Sequence, residues 1–370
     1  MGKYSKYVNP LRLNTAVVNP SWRGKVSDFY LTFDEKVYSA PLWAEVSYAY
    51  APGAGFHLPD QRPLVVGGKE VPAPVGGHSH DFDELFLWFG SDPHDNTALG
   101  GEVEFWMGEG KDAQKFIAKH PTAWWVPKGM AHNPTLFSKV DRHDKPVIEL
   151  TIGLTPTRDR KAVNLKDLPL PPAFSWDLVG KEQPGKGLYI KYVNKLPFAS
   201  DRIFPWMRGR VAVPTLEFDK TVYPAPLWVE IFHIYAGGTG IGVPIMEPPP
   251  LLPVARAMAK EKGRNIDDMM KGGGHSHNYD ELFMYVGTDP HDQYNLGGIM
   301  QAWLGEGDEA EKFEFTEAMS IYCPANVVHN PQYYVKVERP YLMIVIALTN
   351  DYSNDNANFR RTPLSSKFKW

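Results

Sequence analysis

Apolar residues in this chain come in short runs rather than in long helical stripes. Leu42–Tyr50, Leu85–Phe89, Glu102–Met107, Thr122–Val126 and Pro146–Leu154 are rich in β-branched and aromatic side chains and are flanked by turn-forming residues. Such runs predict strands, because branched and aromatic side chains pack well on a pleated surface. Ser91-Asp-Pro-His-Asp95 and Thr288-Asp-Pro-His-Asp292 predict loops, since proline cannot donate to a sheet ladder. Only Lys161–Leu168 and Pro253–Lys271 carry a helical pattern. Many short strands with few short helices predict an all-β fold of barrels or sandwiches.

The strand pattern occurs twice. Lys6-Tyr-Val-Asn9 recurs as Lys191-Tyr-Val-Asn194, and Val37-Tyr-Ser-Ala-Pro-Leu-Trp43 recurs as Val222-Tyr-Pro-Ala-Pro-Leu-Trp228, both at an offset of 185 (191 − 6, 222 − 37). Further along the offset is 197 (275 − 78), so the second copy carries 12 extra residues (197 − 185) between Trp228 and His275. Gly76–Gly110 and Gly273–Gly307 share 21 identities over 35 positions. Two domains follow, 1–185 and 186–370, with the seam at Pro184-Gly-Lys-Gly187.

The most chemically specific pattern lies inside the repeat. His78-Ser-His80-Asp-Phe-Asp-Glu84 and His132 recur as His275-Ser-His277-Asn-Tyr-Asp-Glu281 and His329. In a strand, positions i and i+2 share a face, so His78 and His80 project together and Glu84 follows after a short turn. His132 joins them only if the sheet curls into a barrel. Three imidazoles and one carboxylate suit a divalent transition metal such as Fe, Mn or Zn, and leave open positions for water and substrate. Two metal sites are therefore expected.

These residues also carry a resemblance. His78-x-His80-x3-Glu84-x5-Gly90 with Pro127-x-Gly129-x2-His132 resembles the two motifs of the cupin superfamily. The second copy resembles it in His275, His277, Glu281 and Gly287, but has Asn326 where the family usually has glycine. Asparagine tolerates the left-handed conformation, so the turn should survive. The resemblance implies a bicupin, two tandem jelly-roll barrels, and leaves the reaction open. Our leading expectation is a metal-dependent, dioxygenase-like enzyme in which a small oxygenated, cyclic or aromatic molecule chelates the metal. The alternatives are a redox-neutral lyase, isomerase or C–C hydrolase acting through an enolate, and a non-enzymatic small-molecule-binding bicupin.

Because the ligands match, any division of labour must lie in what differs around them. Tyr48 is matched by His233, Glu104 by Gln301, Trp88 by Tyr285 and Trp125 by Tyr322. His233, Glu104 and Tyr285 are the candidate catalytic groups, with His233 a candidate base because its pKa is naturally near neutral. The insertion ends in Gly272-Gly-Gly274 and could form a lid on glycine hinges, which with the extra polar groups favours the second half as the catalytic one. Asp83 and Asp280 read as structural, Asn133 and Asn330 as ligand-orienting, substrate-bonding or backbone-capping, and Cys323 as a small buried residue.

Bulk properties narrow the partners. A net charge of −4 and a pI near 6.3 give no reason to expect nucleic acid or an anionic membrane surface. No run of the roughly 18–20 apolar residues that span a bilayer is present, and no apolar leader follows Met1-Gly-Lys-Tyr-Ser-Lys6. A single cysteine excludes an internal disulfide and suits a reducing cytoplasm. The expected partner is a small-molecule substrate, with a homo-oligomer left open.

Overall fold

The computed structural model describes residues 2–15, 19–59, 64–66, 69–72, 75–157, 161–182, 187–199, 203, 205–244, 253, 256–257, 260, 270–352 and 359–369. It is nearly all β, as expected, and its named helical pieces are 3-10 turns of three residues. No helix among the described residues is long and apolar enough to cross a membrane.

The chain forms two compact units, Leu11–Leu196 with Asp289–Asp292, and Met1–Pro10 with Pro197–Thr288 and Gln293–Trp370. We call them the first and second barrel. In the first, a seven-stranded sheet runs in the order Val193–Lys195, Thr122–Val126, Glu84–Gly90, Val147–Gly153, Trp43–Ala49, Tyr30–Phe33 and Arg12–Asn14. It faces a six-stranded sheet containing Gly101–Met107, His132–Val140, Gly77–Ser79 and Lys166–Leu168. The second barrel repeats this arrangement, with Glu281–Gly287 central in one sheet and His329–Val337 in the other.

The repeated Lys-Tyr-Val-Asn motif explains why both units start about ten residues past the start of their repeat, at Leu11 and Pro197, and why Met1–Pro10 joins the second barrel. Val8–Pro10 pairs with Met319–Cys323 of the second barrel, whereas Val193–Lys195 pairs with Thr122–Val126 of the first. Each barrel thus takes its edge strand from the other copy of the repeat.

All seven residues of Glu84–Gly90 are buried, and so are all seven of Glu281–Gly287. Central strands covered on both faces lose the simple apolar–polar alternation and read as continuous apolar runs. Alternation still sorts the side chains, and Phe86 and Trp88 enter one interior cluster with Val103, Phe105 and Trp124. Phe283 and Tyr285 do the same in the second barrel. Barrel interior and ligand face therefore coincide along both strands.

One expectation changes. Lys161–Leu168 is not helical, because 166–168 is a strand paired with Gly77–Ser79. Its pattern is too short to hold a helix against the open edge of a sheet. The lid expected between Pro244 and Lys271 falls largely outside the described residues.

Deleting residues 1–10 should loosen the second barrel, because its sheet loses three paired residues at Met319–Cys323. Hydrogen exchange is expected to rise at Met319–Cys323, by a local opening free energy change on the order of 2 kcal/mol. Exchange at Thr122–Val126 should stay unchanged.

Candidate metal centres and the second-barrel cavity

The eight expected ligands form two groups, His78, His80, Glu84 and His132, and His275, His277, Glu281 and His329, with all ligand atoms of a group within 4.8 Å of one another. In each barrel the first ligand strand lies beside the last, His78 opposite His132 and His275 opposite His329. Glu84 Oε2 is 3.1 Å from His80 Nε2 and 3.2 Å from His132 Nε2. Glu281 Oε2 is 3.3 Å from His277 Nε2 and 3.0 Å from His329 Nε2.

The outer nitrogens set the chemistry of the inner ones. Nδ1–H of His80 donates to the Phe82 carbonyl at 2.9 Å, and that of His132 to Met130 at 3.0 Å. His277 and His329 do the same toward Tyr279 at 2.8 Å and Val327 at 3.0 Å. A proton placed on Nδ1 leaves the Nε2 lone pair facing inward, which is the arrangement of a metal-bound histidine. His275 Nδ1 lies 3.3 Å from the Asn330 side-chain amide, whose Oδ1 is a buried atom with no hydrogen-bond partner among the described residues. Turning the amide over lets Oδ1 accept Nδ1–H and gives His275 the same tautomer. In that orientation Asn330 would hold a ligand rather than cap the backbone.

The donor sets fit a divalent cation. His275 Nε2 and His329 Nε2 are only 3.0 Å apart, so their lone pairs repel unless a proton or cation lies between them. Burial and the neighbouring His329 push the His275 pKa well below the usual histidine range, which favours the neutral ligand form. Glu281 Oε1 is a buried carboxylate oxygen without a hydrogen-bond partner among the described residues. Burial alone would raise both carboxyl pKa values. Protons on the inward Nε2 of His132 and His80, in the position a bound cation would take, outweigh it and hold Glu84 at about 2, and those on His277 and His329 hold Glu281 well below the carboxylate range. There are two divalent-metal sites.

The turn that delivers the last histidine survives its asparagine. Gly129 and Asn326 both have positive φ, 76° and 67°. Their backbone N–H groups donate to His80 and His277 carbonyls at 2.7 Å. Asp83 and Asp280 accept from the same turns, through Lys128 N at 2.7 Å and Ala325 N at 2.8 Å, and point away from the ligands.

The three candidate catalytic residues do not gather at either centre. Trp228, Glu230 and Phe232 line the cavity above the second site, so alternation turns His233 to the opposite face of its strand. Glu104 sits between the interior residues Val103 and Phe105 and faces outward, 3.1 Å from Lys115 Nζ. It also accepts from Gly180 N at 2.6 Å. Tyr285 is interior but one row deeper than Phe283, and its hydroxyl donates to Gln332. Cys323 is buried, and burial followed by the charges of Glu281 and Asp280 pushes its thiol pKa well up, as an inert thiol requires.

What distinguishes the centres lies in segments that the motifs do not touch. A cavity of about 630 Å³ opens onto His275 and is lined by Glu230, Arg361 and Lys271 among other residues. Arg361 pairs directly with His275 across the sheet, and at the first site Asp167 pairs with His78 in the same way. Gly242 of the cavity wall corresponds to His57, since both accept from the matched glycines Gly273 and Gly76 at 2.8 Å. The His57 ring lies 4.7 Å from the ring of His78 and occupies space that Gly242 leaves open. The Gly242/His57 pair follows from the repeat offset of 185 (242 − 57), whereas the Arg361/Asp167 pair shows only in the sheet register.

No family model matches the chain, and no curated protein matches it by sequence. Among solved structures, an arginine-to-alanine mutant of Bacillus subtilis oxalate decarboxylase OxdC superposes with a TM-score of 0.50 at 10% identity, covering 93% of this chain and 76% of that one. A Lactobacillus farciminis oxalate decarboxylase formate complex covers 93% of this chain and 85% of that one, at 10% identity and a TM-score of 0.49. The fold is that of a bicupin. At such identity the likeness concerns the fold alone.

Replacing Asn330 with Ala should weaken metal binding at the second site by roughly 10–100-fold and leave the first unchanged, as loss of an orienting partner does. Competitive titration against a chromophoric chelator reads both sites. A second prediction concerns Glu149, which accepts from Trp88 Nε1 at 2.7 Å inside the first barrel. Burial, opposed by that bond and aided by the Glu45 and Glu84 charges, pushes its pKa up to about 8. Its contribution is present in full below the unfolded value near 4.5 and falls away as pH rises to about 8. In the metal-free protein, Glu149→Gln should therefore be more stable than wild type at pH 8 by roughly 1–3 kcal/mol, and the gain should shrink at pH 5. Urea melts at the two pH values measure it.

Proposed function

We propose that this bicupin is a metal-dependent enzyme that converts a small organic acid at its second centre by a redox-neutral route. The observation that carries this reading is the 630 Å³ cavity that opens onto His275 with Arg361 in its wall. The guanidinium matches a carboxylate in shape and charge. At the first centre, Asp167 would repel the same group, and the His57 ring crowds His78.

A divalent ion held by His275, His277, Glu281 and His329 would polarise a substrate oxygen and make the carbon beside it easier to ionise. Arg361 would orient the carboxylate, while Asn330 keeps His275 in its ligating tautomer. Glu230 lines the cavity and accepts from Thr215 Oγ1 at 2.7 Å. It takes over the role first considered for His233, removing a proton from the carbon beside the carboxylate or returning one to it. The electron pair freed in that step stays on the substrate, so no external oxidant is needed. The enolate-type alternative is therefore preferred to the dioxygenase-like one, and it agrees with the decarboxylase activity named for the solved neighbours.

Glu230→Gln should lower turnover of an accepted acid by about 10²–10⁴-fold, the range for loss of a general acid–base group, with the metal content of both sites unchanged. Product analysis under anaerobic conditions and metal analysis of the same sample provide the check. Stoichiometric O₂ consumption would overturn the redox-neutral route.

A further inference from the structure

The same cavity is far larger than a two-carbon diacid requires. At about 30 Å³ for each water molecule, a volume of 630 Å³ would accommodate on the order of 20 waters. Its lining is also two-sided. Arg361, His275 and Asn330 come from the six-stranded sheet and its edges, whereas Trp228, Phe232, Phe283 and Val345 come from the seven-stranded sheet. Tyr352 lies flat on Trp228, ring centroids 4.0 Å apart at 8°, and Trp206 completes the aromatic side. On the polar side Phe359 stacks on His275 at 4.5 Å, and the Arg361 guanidinium sits 5.3 Å from the centre of the Phe359 ring.

The apolar wall is specific to this barrel. Phe232 pairs with Met343, and the matching pair in the first barrel is Ser47 with Glu149. Val345 pairs with Phe283, and its counterpart Thr151 pairs with Phe86. Three polar positions of the first interior are thus apolar in the second, beside an arginine in place of an aspartate. A wet, polar cavity would serve a diacid. A largely aromatic wall that carries one carboxylate, Glu230, and faces Arg361, Lys271 and one metal centre serves a molecule with a charged end and a flat apolar body.

We infer that the substrate of the second centre is a bulky, aryl-bearing monocarboxylate with an ionisable carbon beside the carboxylate, its carboxylate at Arg361 and the metal site, and its ring against Trp228, Phe232 and Trp206. This rests on the reading of the cavity as an organic-acid site and narrows its ligand. Calorimetric titration of the full-length, metal-loaded protein with 1-naphthoate, 1-naphthamide and oxalate tests it. Naphthoate should bind at least tenfold more tightly than oxalate and than the uncharged amide. Phe232→Ser, which restores the residue of the first barrel, should weaken naphthoate at least fivefold and leave oxalate within twofold. Trp206→Ser, at a half-buried position, should do the same should the Phe232 variant fail to fold. Oxalate binding as tightly as naphthoate through Arg361 would overturn the aryl assignment and leave the organic-acid site standing. Equal binding of naphthoate and naphthamide, unaltered by Arg361→Gln, would remove the organic-acid site and this inference together. Absence of naphthoate binding overturns the aryl assignment.

Discussion

Everything in each barrel depends on bringing four metal-binding groups into one buried volume. His132 and Glu84 belong to different sheets, yet Glu84 Oε2 and His132 Nε2 lie 3.2 Å apart. A carboxylate and three imidazoles gathered out of water are costly to bury without a compensating charge. Closure of the barrel and occupation by a cation are therefore coupled, and the fold pre-orients the donors by tying Nδ1 of the histidines to carbonyls of neighbouring turns. Binding then costs little reorganisation.

With that constraint shared, the two copies could diverge only around it. The first barrel keeps a polar interior, with Ser47, Glu149 and Thr151 buried beside Trp88. It also brings His57 and Asp167 to His78. The second has apolar side chains in the same rows, a glycine in place of His57 and an arginine in place of Asp167. Identical ligands thus sit in a crowded, acidic setting in one copy and beneath an open, cationic and aromatic cavity in the other.

The exchange of edge strands adds a structural bond to this chemical contrast. The segment that opens each repeat completes the sheet of the other barrel, so Val8–Pro10 supports Met319–Cys323 and, through it, the strand bearing Glu281. A repeat boundary in sequence and a unit boundary in space need not agree, because a short strand pairs wherever an edge of matching register is exposed.

The chain on its own determined the all-β class, the duplication, the eight ligands and the survival of the turn at Asn326. All of these follow from local rules: strand alternation, donor chemistry and the backbone tolerance of asparagine. It could not place His233, Glu104 or Tyr285, because fully buried strands show no polar face to count from. It also concealed Arg361 and Glu230, which owe their importance to pairing across strands distant in sequence, and it aligned Gly242 with His57 without showing that the His57 ring meets His78. Arg361 meets His275 only through sheet register, and Lys166–Leu168 becomes a strand only because Gly77–Ser79 leaves an edge for it. The tertiary structure decided those points, since register and closure depend on contacts between segments that local sequence does not encode.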